Sequence, residues 1–281
     1  MKELQASTIT EMVADLCKKA NYYLPADVVA ALEKAYEEEP SPAGKDALRQ
    51  LLENQRIARE EDCPICQDTG LAVVYLDLGQ EVHVVGGDLY SAVEEGVRQG
   101  YIKGYLRKSA VRQPFSARVN TKDNTPPIIH TRIVPGDKLK ITVLPKGAGS
   151  ENMSALGMLT PAKGVEGVKE FVIQTVDKAG SNPCPPIIVG VGIGGTADKT
   201  MEIAKEAVMR PIGQHNPDPE VAALETELLE KINKLGIGPQ GFGGKVTALA
   251  VNVETFPAHI ASMPVAVCIQ CNAARQAAAE L

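Results

Sequence analysis

Residues 63–70 read Cys63-Pro64-Ile65-Cys66-Gln67-Asp68-Thr69-Gly70, and residues 71–78 continue Leu71-Ala72-Val73-Val74-Tyr75-Leu76-Asp77-Leu78. The texture of the chain changes at this point. Upstream, apolar residues recur at helical spacing; downstream, short runs rich in Val, Ile and Tyr alternate with Gly/Pro turns and helices. The turn bears two cysteines and a carboxylate, and an apolar run of strand length follows it. That combination marks the start of a mixed body and places chemistry-bearing residues at its first strand.

Working outward, residues 26–38 and 44–61 read as helices separated by Pro40 and Pro42. Thr8-Ile9-Thr10-Glu11 offers a cap for an earlier helix, since a Thr oxygen can accept from freed amides and a Glu can answer. Beyond the turn, 81–86 reads as a strand and 88–108 as a helix. Strands over 128–134 and 139–145 flank Pro135-Gly136. A helix over 165–179 precedes a strand over 186–193. Helices near 198–209 and 219–235 follow, and strands over 246–253 and 264–271 close the pattern. The expectation is an α/β or α+β fold. Residues 1–60 form a helical N-terminal region, and 61–281 form a mixed α/β body. Strand order is not legible.

The chain has 281 residues, enough to bury a sizeable core, with 44% hydrophobic and 23% charged residues. Its net charge of −6 gives no electrostatic support for general nucleic-acid binding. No apolar run reaches the roughly 18 residues needed to span a bilayer. The first residues lack a signal peptide's apolar core and cleavage site. The expectations are a cytoplasmic protein with no membrane and no nucleic-acid partner. Six cysteines in such a chain argue against a disulfide framework. They read instead as core filler, metal ligands or reactive thiols.

Three cysteine segments stand out: the opening turn, Ser181-Asn182-Pro183-Cys184-Pro185-Pro186, and Cys268-Ile269-Gln270-Cys271-Asn272. Each lies where an element meets a turn, which can present a thiolate at a fixed angle. On spacing alone, Cys63/Cys66 with Cys268/Cys271 admits a zinc site in a binding or scaffold protein. The plainer alternative is cysteine as a small buried hydrophobe, which fits Cys17 on its helical face best. Two glycine-rich stretches also invite a reading. Gly190, Gly192 and Gly195 match a dinucleotide fingerprint, but the region some 20 residues on is a loop and not an acid-ended strand. Residues 236–245 could cradle an anion or could be a tight structural loop.

Taken together, the segments resemble one family. Cys-Gln-Asp-Thr-Gly, Leu-Arg-Lys-Ser near 107, Lys-Gly-Ala-Gly-Ser near 147, Asn-Pro-Cys-Pro-Pro and Gly-Val-Gly-Ile-Gly-Gly occur here in the order found in the class I, iron–sulfur fumarate hydratases. Gly-Pro-x-Gly-x-Gly-Gly-Lys-Val-Thr-Ala, His-x-Ala-Ser-x-Pro and Cys-x-Ala-x-Arg follow in the same order. The α subunits of the iron–sulfur L-tartrate dehydratases share this pattern. The resemblance covers about residues 50–281 and, more loosely, the helical start. It implies a hydro-lyase of the tricarboxylic acid cycle type, hydrating fumarate to (S)-malate, with L-tartrate dehydration as the alternative. The cofactor implied is a [4Fe-4S] cluster held by Cys66, Cys184 and Cys271, with one iron open to a small dicarboxylate. Cys63 and Cys268 would be neighbours of that site and not ligands.

The resemblance also assigns substrate groups. Asp68 would act in acid–base chemistry, or alternatively would only stabilise its own turn. Gln67 would lie beside the open iron. Arg107 would clamp a carboxylate, or be an exposed helix-end arginine. Gly149 would bring its amide to the substrate, or be an ordinary turn glycine. His259 would hydrogen-bond substrate, or be a satisfied structural histidine. Single-chain members of the family continue past the third cysteine, whereas this sequence ends at Leu281. The expected partner is therefore an obligate β subunit, assembling as a dimer of αβ units.

Overall fold

A computed structural model describes residues 2–281. The chain has an α/β architecture with a helical N-terminal portion. Packing divides it into two compact units. The first comprises Met1–Pro25, Gln55–Gly147 and Arg275–Leu281; the second comprises Ala26–Asn54 and Ala148–Ala274. Residues 1–60 contribute to both units, and one boundary falls inside helix α3 (Pro42–Glu60).

The first unit contains a four-stranded sheet in the order β10-β5-β2-β4. Strand β2 (Leu71–Gly79) pairs in parallel with β4 (Ile128–Val134) and antiparallel with β5 (Leu139–Lys146). Strand β10 (Ala277–Glu280) pairs antiparallel with β5. Helices α1 (Ala6–Tyr22) and α4 (Leu89–Lys103) share an apolar core with this sheet. Val74, Leu76, Ile141 and Val143 meet Ile9, Val13, Val93 and Val97 there. A small parallel pair, β1 (Lys2–Gln5) with β3 (Val82–Val85), completes the unit.

The second unit carries a sheet in the order β6-β9-β7-β8, formed by β6 (Ala155–Leu159), β9 (Met263–Gln270), β7 (Ile187–Gly194) and β8 (Ala248–Phe256). Strands β7 and β8 are parallel, and β9 runs antiparallel to β7 and β6. Helices α6 (Gly164–Ala179) and α8 (Pro219–Asn233) bury Val168, Val172, Val176, Leu228 and Ile232 against Ile187, Val189 and Val191 on one face. Helix α7 (Ala197–Ala207) meets the alternate residues of β7. A parallel strand covered on both faces explains the unbroken apolar run in the sequence. Helix α2 (Ala26–Glu38) and the short α5 (Ala148–Glu151) also belong here. No helix among the described residues is long and apolar enough to cross a membrane.

Several local expectations are corrected. Helix α1 starts at Ala6 after Gln5, without a side-chain cap, so Thr8–Glu11 lie inside it. Thr10 instead donates its hydroxyl to Ala6 and Ala92 carbonyls. Helix α4 stops at Lys103, five residues short of the reading, because Gly104 follows and closes on the Gly100 carbonyl. Arg107 is consequently a loop residue. The dinucleotide glycines serve packing: a Cβ at Gly190 would meet Ala204 O at 2.2 Å, and one at Gly192 would meet Thr200 O at 2.1 Å. These glycines let α7 lie close on β7, which is a role no pyrophosphate shares.

Candidate active site

In the first unit the turn Ile65–Gly70 enters β2 and is held from several sides. Asn21, fully buried, accepts the Ile65 amide on its backbone carbonyl at 3.0 Å. Arg275, 1% exposed, donates from one Nη to Asp68 O at 2.8 Å and from the other to Asn21 Oδ1 at 3.2 Å. Tyr101 donates to the Thr69 carbonyl at 2.8 Å, and its burial drives the phenol well above its usual range. The anchors therefore bracket Cys66 and Gln67, leaving Cys66 half-buried and Gln67 exposed.

Asp68 is half-buried, and its Oδ1 accepts the Gly70 amide at 3.0 Å, so the carboxylate does stabilise its own turn. Its second oxygen points toward Gly147, where an added Cβ would stand 3.2 Å from Oδ2 and 3.6 Å from Arg275 Nη2. A glycine at 147 leaves room for that carboxylate beside a buried guanidinium. Arg107 has an exposed side chain, and its backbone is tied in: Thr69 Oγ1 donates to Arg107 O at 3.1 Å. The unit thus brings together Cys66, Gln67, Asp68 and the backbone of Arg107.

In the second unit the Cys184 turn is held by its carbonyls. Asn272 donates both its amide, at 3.1 Å, and its Nδ2, at 2.8 Å, to Cys184 O. Gln240 donates its amide at 2.8 Å and its Nε2 at 2.9 Å to Pro185 O. Cys184 is exposed with a φ of 53°, a left-handed backbone that these bonds hold in place. The segment next to Cys271 is therefore bonded to the Cys184 turn. Gly149 also approaches it, since a Cβ there would sit 3.1 Å from Asn182 O. His259 is exposed on the segment after β8, its Nδ1 accepting the Ala261 amide at 3.1 Å.

The second glycine-rich loop resolves in favour of structure. Glu39, 2% exposed, accepts amides from Ser41, Lys245 and Val246 at 2.8–3.0 Å. An internal carboxylate fills the cradle that an external anion could have used. The loop so held carries Gln240 to Pro185 O.

All six cysteines are free thiols. Cys17 and Cys268 are fully buried, and burial pushes the Cys17 thiol up to about 12, unsuited to a thiolate ligand. Cys63, Cys66 and Cys271 are half-buried and Cys184 is exposed. Among the described residues, neither unit by itself gathers three His, Cys, Asp or Glu side chains into a cation site. Cys66 belongs to the first unit and Cys184 and Cys271 to the second. The donor chemistry of these three turn cysteines, soft and reachable, suits an iron–sulfur cluster. A zinc site from Cys-x-x-Cys pairs would have to recruit Cys268 from the middle of β9, opposite Gly190.

Sequence reading passed over the roles of Asn21, Tyr101, Gln240 and Glu39, which make most of the bonds just described. Arg275 was visible only as the last letter of Cys-x-Ala-x-Arg. Buried polar partners carry no periodic signature, so only their contacts reveal them.

Residues 10–280 match the family described as fumarate hydratase (Fumerase). A protein of Methanocaldococcus jannaschii named "Putative L(+)-tartrate dehydratase subunit alpha" is 46% identical over 278 residues, covering 96% of each chain. The L(+)-tartrate dehydratase subunit alpha of Escherichia coli O157:H7 is 34% identical over 279 residues, covering 98% of this chain and 91% of the relative. Its counterpart from Escherichia coli K12 is 33% identical over the same length. The chain belongs to the fumarate hydratase (Fumerase) family.

Proposed function

We propose that this chain is the α subunit of an iron–sulfur hydro-lyase that interconverts fumarate and (S)-malate, working with a β subunit. The observation that carries the reading is the Cys66–Gly70 turn, where a reachable thiol and a half-buried carboxylate stand two residues apart on a backbone fixed by buried partners. Family membership over nearly the whole chain supports it. The relatives named as alpha subunits support the β partner. The same names favour a second reading, L(+)-tartrate as substrate, which differs from malate by one hydroxyl.

Cys66, Cys184 and Cys271 would hold a [4Fe-4S] cluster. When bound, such a cluster supplies a Lewis-acidic iron that makes a substrate hydroxyl a better leaving group. Asp68 would take the proton from the neighbouring carbon, with Oδ1 anchored on Gly70 so that the carboxylate keeps its aim. Arg107 would neutralise one substrate carboxylate through a planar, two-donor contact. Gln67, Gly149 and His259 would contribute hydrogen bonds to the same substrate. The second carboxylate is assigned to groups of the β subunit.

The test is anaerobic co-expression with the neighbouring β gene, then assays on fumarate, (S)-malate and both tartrates. Turnover of malate and fumarate far above tartrate is expected; the reverse preference establishes the second reading, and turnover of neither defeats both. Cys66→Ser, Cys184→Ser and Cys271→Ser should each abolish iron loading and activity, while Cys63→Ser and Cys268→Ser keep iron. Asp68→Asn should keep iron and lower turnover about 10²–10⁴-fold.

A further inference from the structure

We propose that Asn124 is a positioning residue that locks the Asp68 turn and the Arg107 loop into one register. The consequence for turnover rests on the functional reading above; the mechanical coupling does not. Asn124 is fully buried on the segment leading into β4. Its Oδ1 accepts the amides of Ser109 at 2.7 Å and Ala110 at 3.1 Å, and its Nδ2 donates to Gly70 O at 3.1 Å. One side chain therefore bonds the loop two residues after Arg107 and the turn two residues after Asp68.

The chemistry requires a carboxamide. Only a group with an acceptor on one side and a donor on the other can satisfy two amides and a carbonyl together. Aspartate would set a carboxylate oxygen against the Gly70 carbonyl. The backbone φ at 124 is 65°, a left-handed value that asparagine tolerates better than most residues. Its flanks are fixed independently. Asp123 accepts Arg98 Nε at 2.9 Å and the Thr125 amide at 3.1 Å, which ties the segment to α4. Desolvation would raise the Asp123 carboxyl, yet the bonds from Thr125 and Arg98 prevail and lower it to about 2.

A second tie runs in parallel, from Thr69 Oγ1 to the Arg107 carbonyl. The segments carrying the proposed proton acceptor and the proposed carboxylate clamp thus meet through two side chains, Asn124 from outside both and Thr69 from the turn itself. Loss of the Asn124 amide unties Ser109 and Ala110 from the turn; Tyr101 still donates to Gly70 O at 3.2 Å and Thr69 to Arg107 O, so the loops loosen against each other without separating. A displacement near 1 Å between groups that must act on one substrate lowers turnover by about 10²-fold.

The experiment uses Asn124→Asp and Asn124→Gly, the glycine retaining the left-handed backbone while deleting the amide. Hydrogen exchange is followed on the α chain, with iron content, kcat and KM measured on the αβ complex. In the wild-type chain the Ser109 and Ala110 amides should be protected although they lie in an irregular loop. In both variants, 66–70 and 107–110 should lose protection together while the sheet core keeps its own. Iron content should hold, and kcat should fall 10–100-fold with little change in KM. Unprotected Ser109 and Ala110 in the wild type, or loosening of one loop alone, would overturn the proposal. So would coupled loosening with wild-type kcat in an active complex. If the wild-type complex lacks hydro-lyase activity, the functional reading falls and the exchange result alone decides the coupling.

Discussion

The turn before β2 and the turn at Cys184 both present a thiol, and they are held in opposite ways. The first is gripped from distant segments, by the buried side chains of Tyr101, Asn124 and Arg275 and by the main-chain carbonyl of Asn21, so that each carbonyl of Asp68, Thr69 and Gly70 depends on side-chain donors. At the second, each of two successive carbonyls receives two donors from a single residue, one main-chain and one side-chain. A main-chain N–H survives most substitutions; a side-chain donor does not. The first turn should therefore be sensitive to single mutations at remote positions, and the second should tolerate them.

The largest expected effect in this comparison is at Arg275. Arg275→Met fills much of the volume but leaves Asp68 O and Asn21 Oδ1 facing a thioether in the interior. Each buried acceptor stranded in this way costs roughly 1–3 kcal/mol. Thermal unfolding of the α chain should show a Tm lower by several degrees, at about 2–4 °C per kcal/mol for a body of this size. Exchange should rise first at 65–70. A Tm within a degree of wild type would remove Arg275 as an anchor and weaken the contrast between the turns.

Glu39→Gln should have an intermediate effect. The variant keeps one carbonyl oxygen and turns an amino group toward main-chain amides that formerly donated to a carboxylate. Charge-assisted bonds are stronger than neutral ones, so a loss of roughly 1–2 kcal/mol follows from replacing them. The loosening should spread from Lys245 and Val246 to Gln240. If the loop loosens while the Cys184 turn stays protected, Asn272 is sufficient by itself, and the redundancy of the second turn is deeper than two donors imply.

Much of this was legible in the sequence, and the part that was not has a common cause. Strands β2, β4, β5, β7, β8 and β9 announced themselves as apolar runs between Gly and Pro, because strand burial is periodic along the chain. Strands β1, β6 and β10 did not: each is four or five residues long with alternating or mostly exposed positions, and Ala277–Ala279 carries no β preference. The end of α4 was overrun because Tyr105 and Leu106 continue its apolar spacing past Gly104. For the candidate site, the cysteines, Asp68 and Arg107 stood in recognisable motifs. Asn124 and Glu39 did not, since a buried polar residue is defined by partners remote in sequence, 206 residues away for Glu39 and Lys245. The grip on a site is thus harder to read than the site's own letters.

The smallest effects belong to the doubly held carbonyls and test the contrast most finely. Asn272→Ala removes the 2.8 Å side-chain bond to Cys184 O and keeps the main-chain one at 3.1 Å, so about 0.5–1.5 kcal/mol should be lost. Gln240 sharpens the point because its φ is 54°, in the left-handed region. Gln and Ala both bear the strain of that conformation, roughly 1–2 kcal/mol, whereas Gly does not. Gln240→Ala should therefore lose the side-chain bond with no compensation. Gln240→Gly loses the same bond and relieves the strain, offset in part by the greater freedom of glycine in the unfolded chain. In denaturant unfolding the glycine variant should stand close to wild type, and both should stand above the alanine variant. That order reverses the usual preference for alanine over glycine. Alanine ranking above glycine would mean that the backbone at 240 relaxes out of the left-handed region once its side chain is gone. In that event the main-chain bond to Pro185 O goes with it, and the second turn would prove as dependent on single side chains as the first.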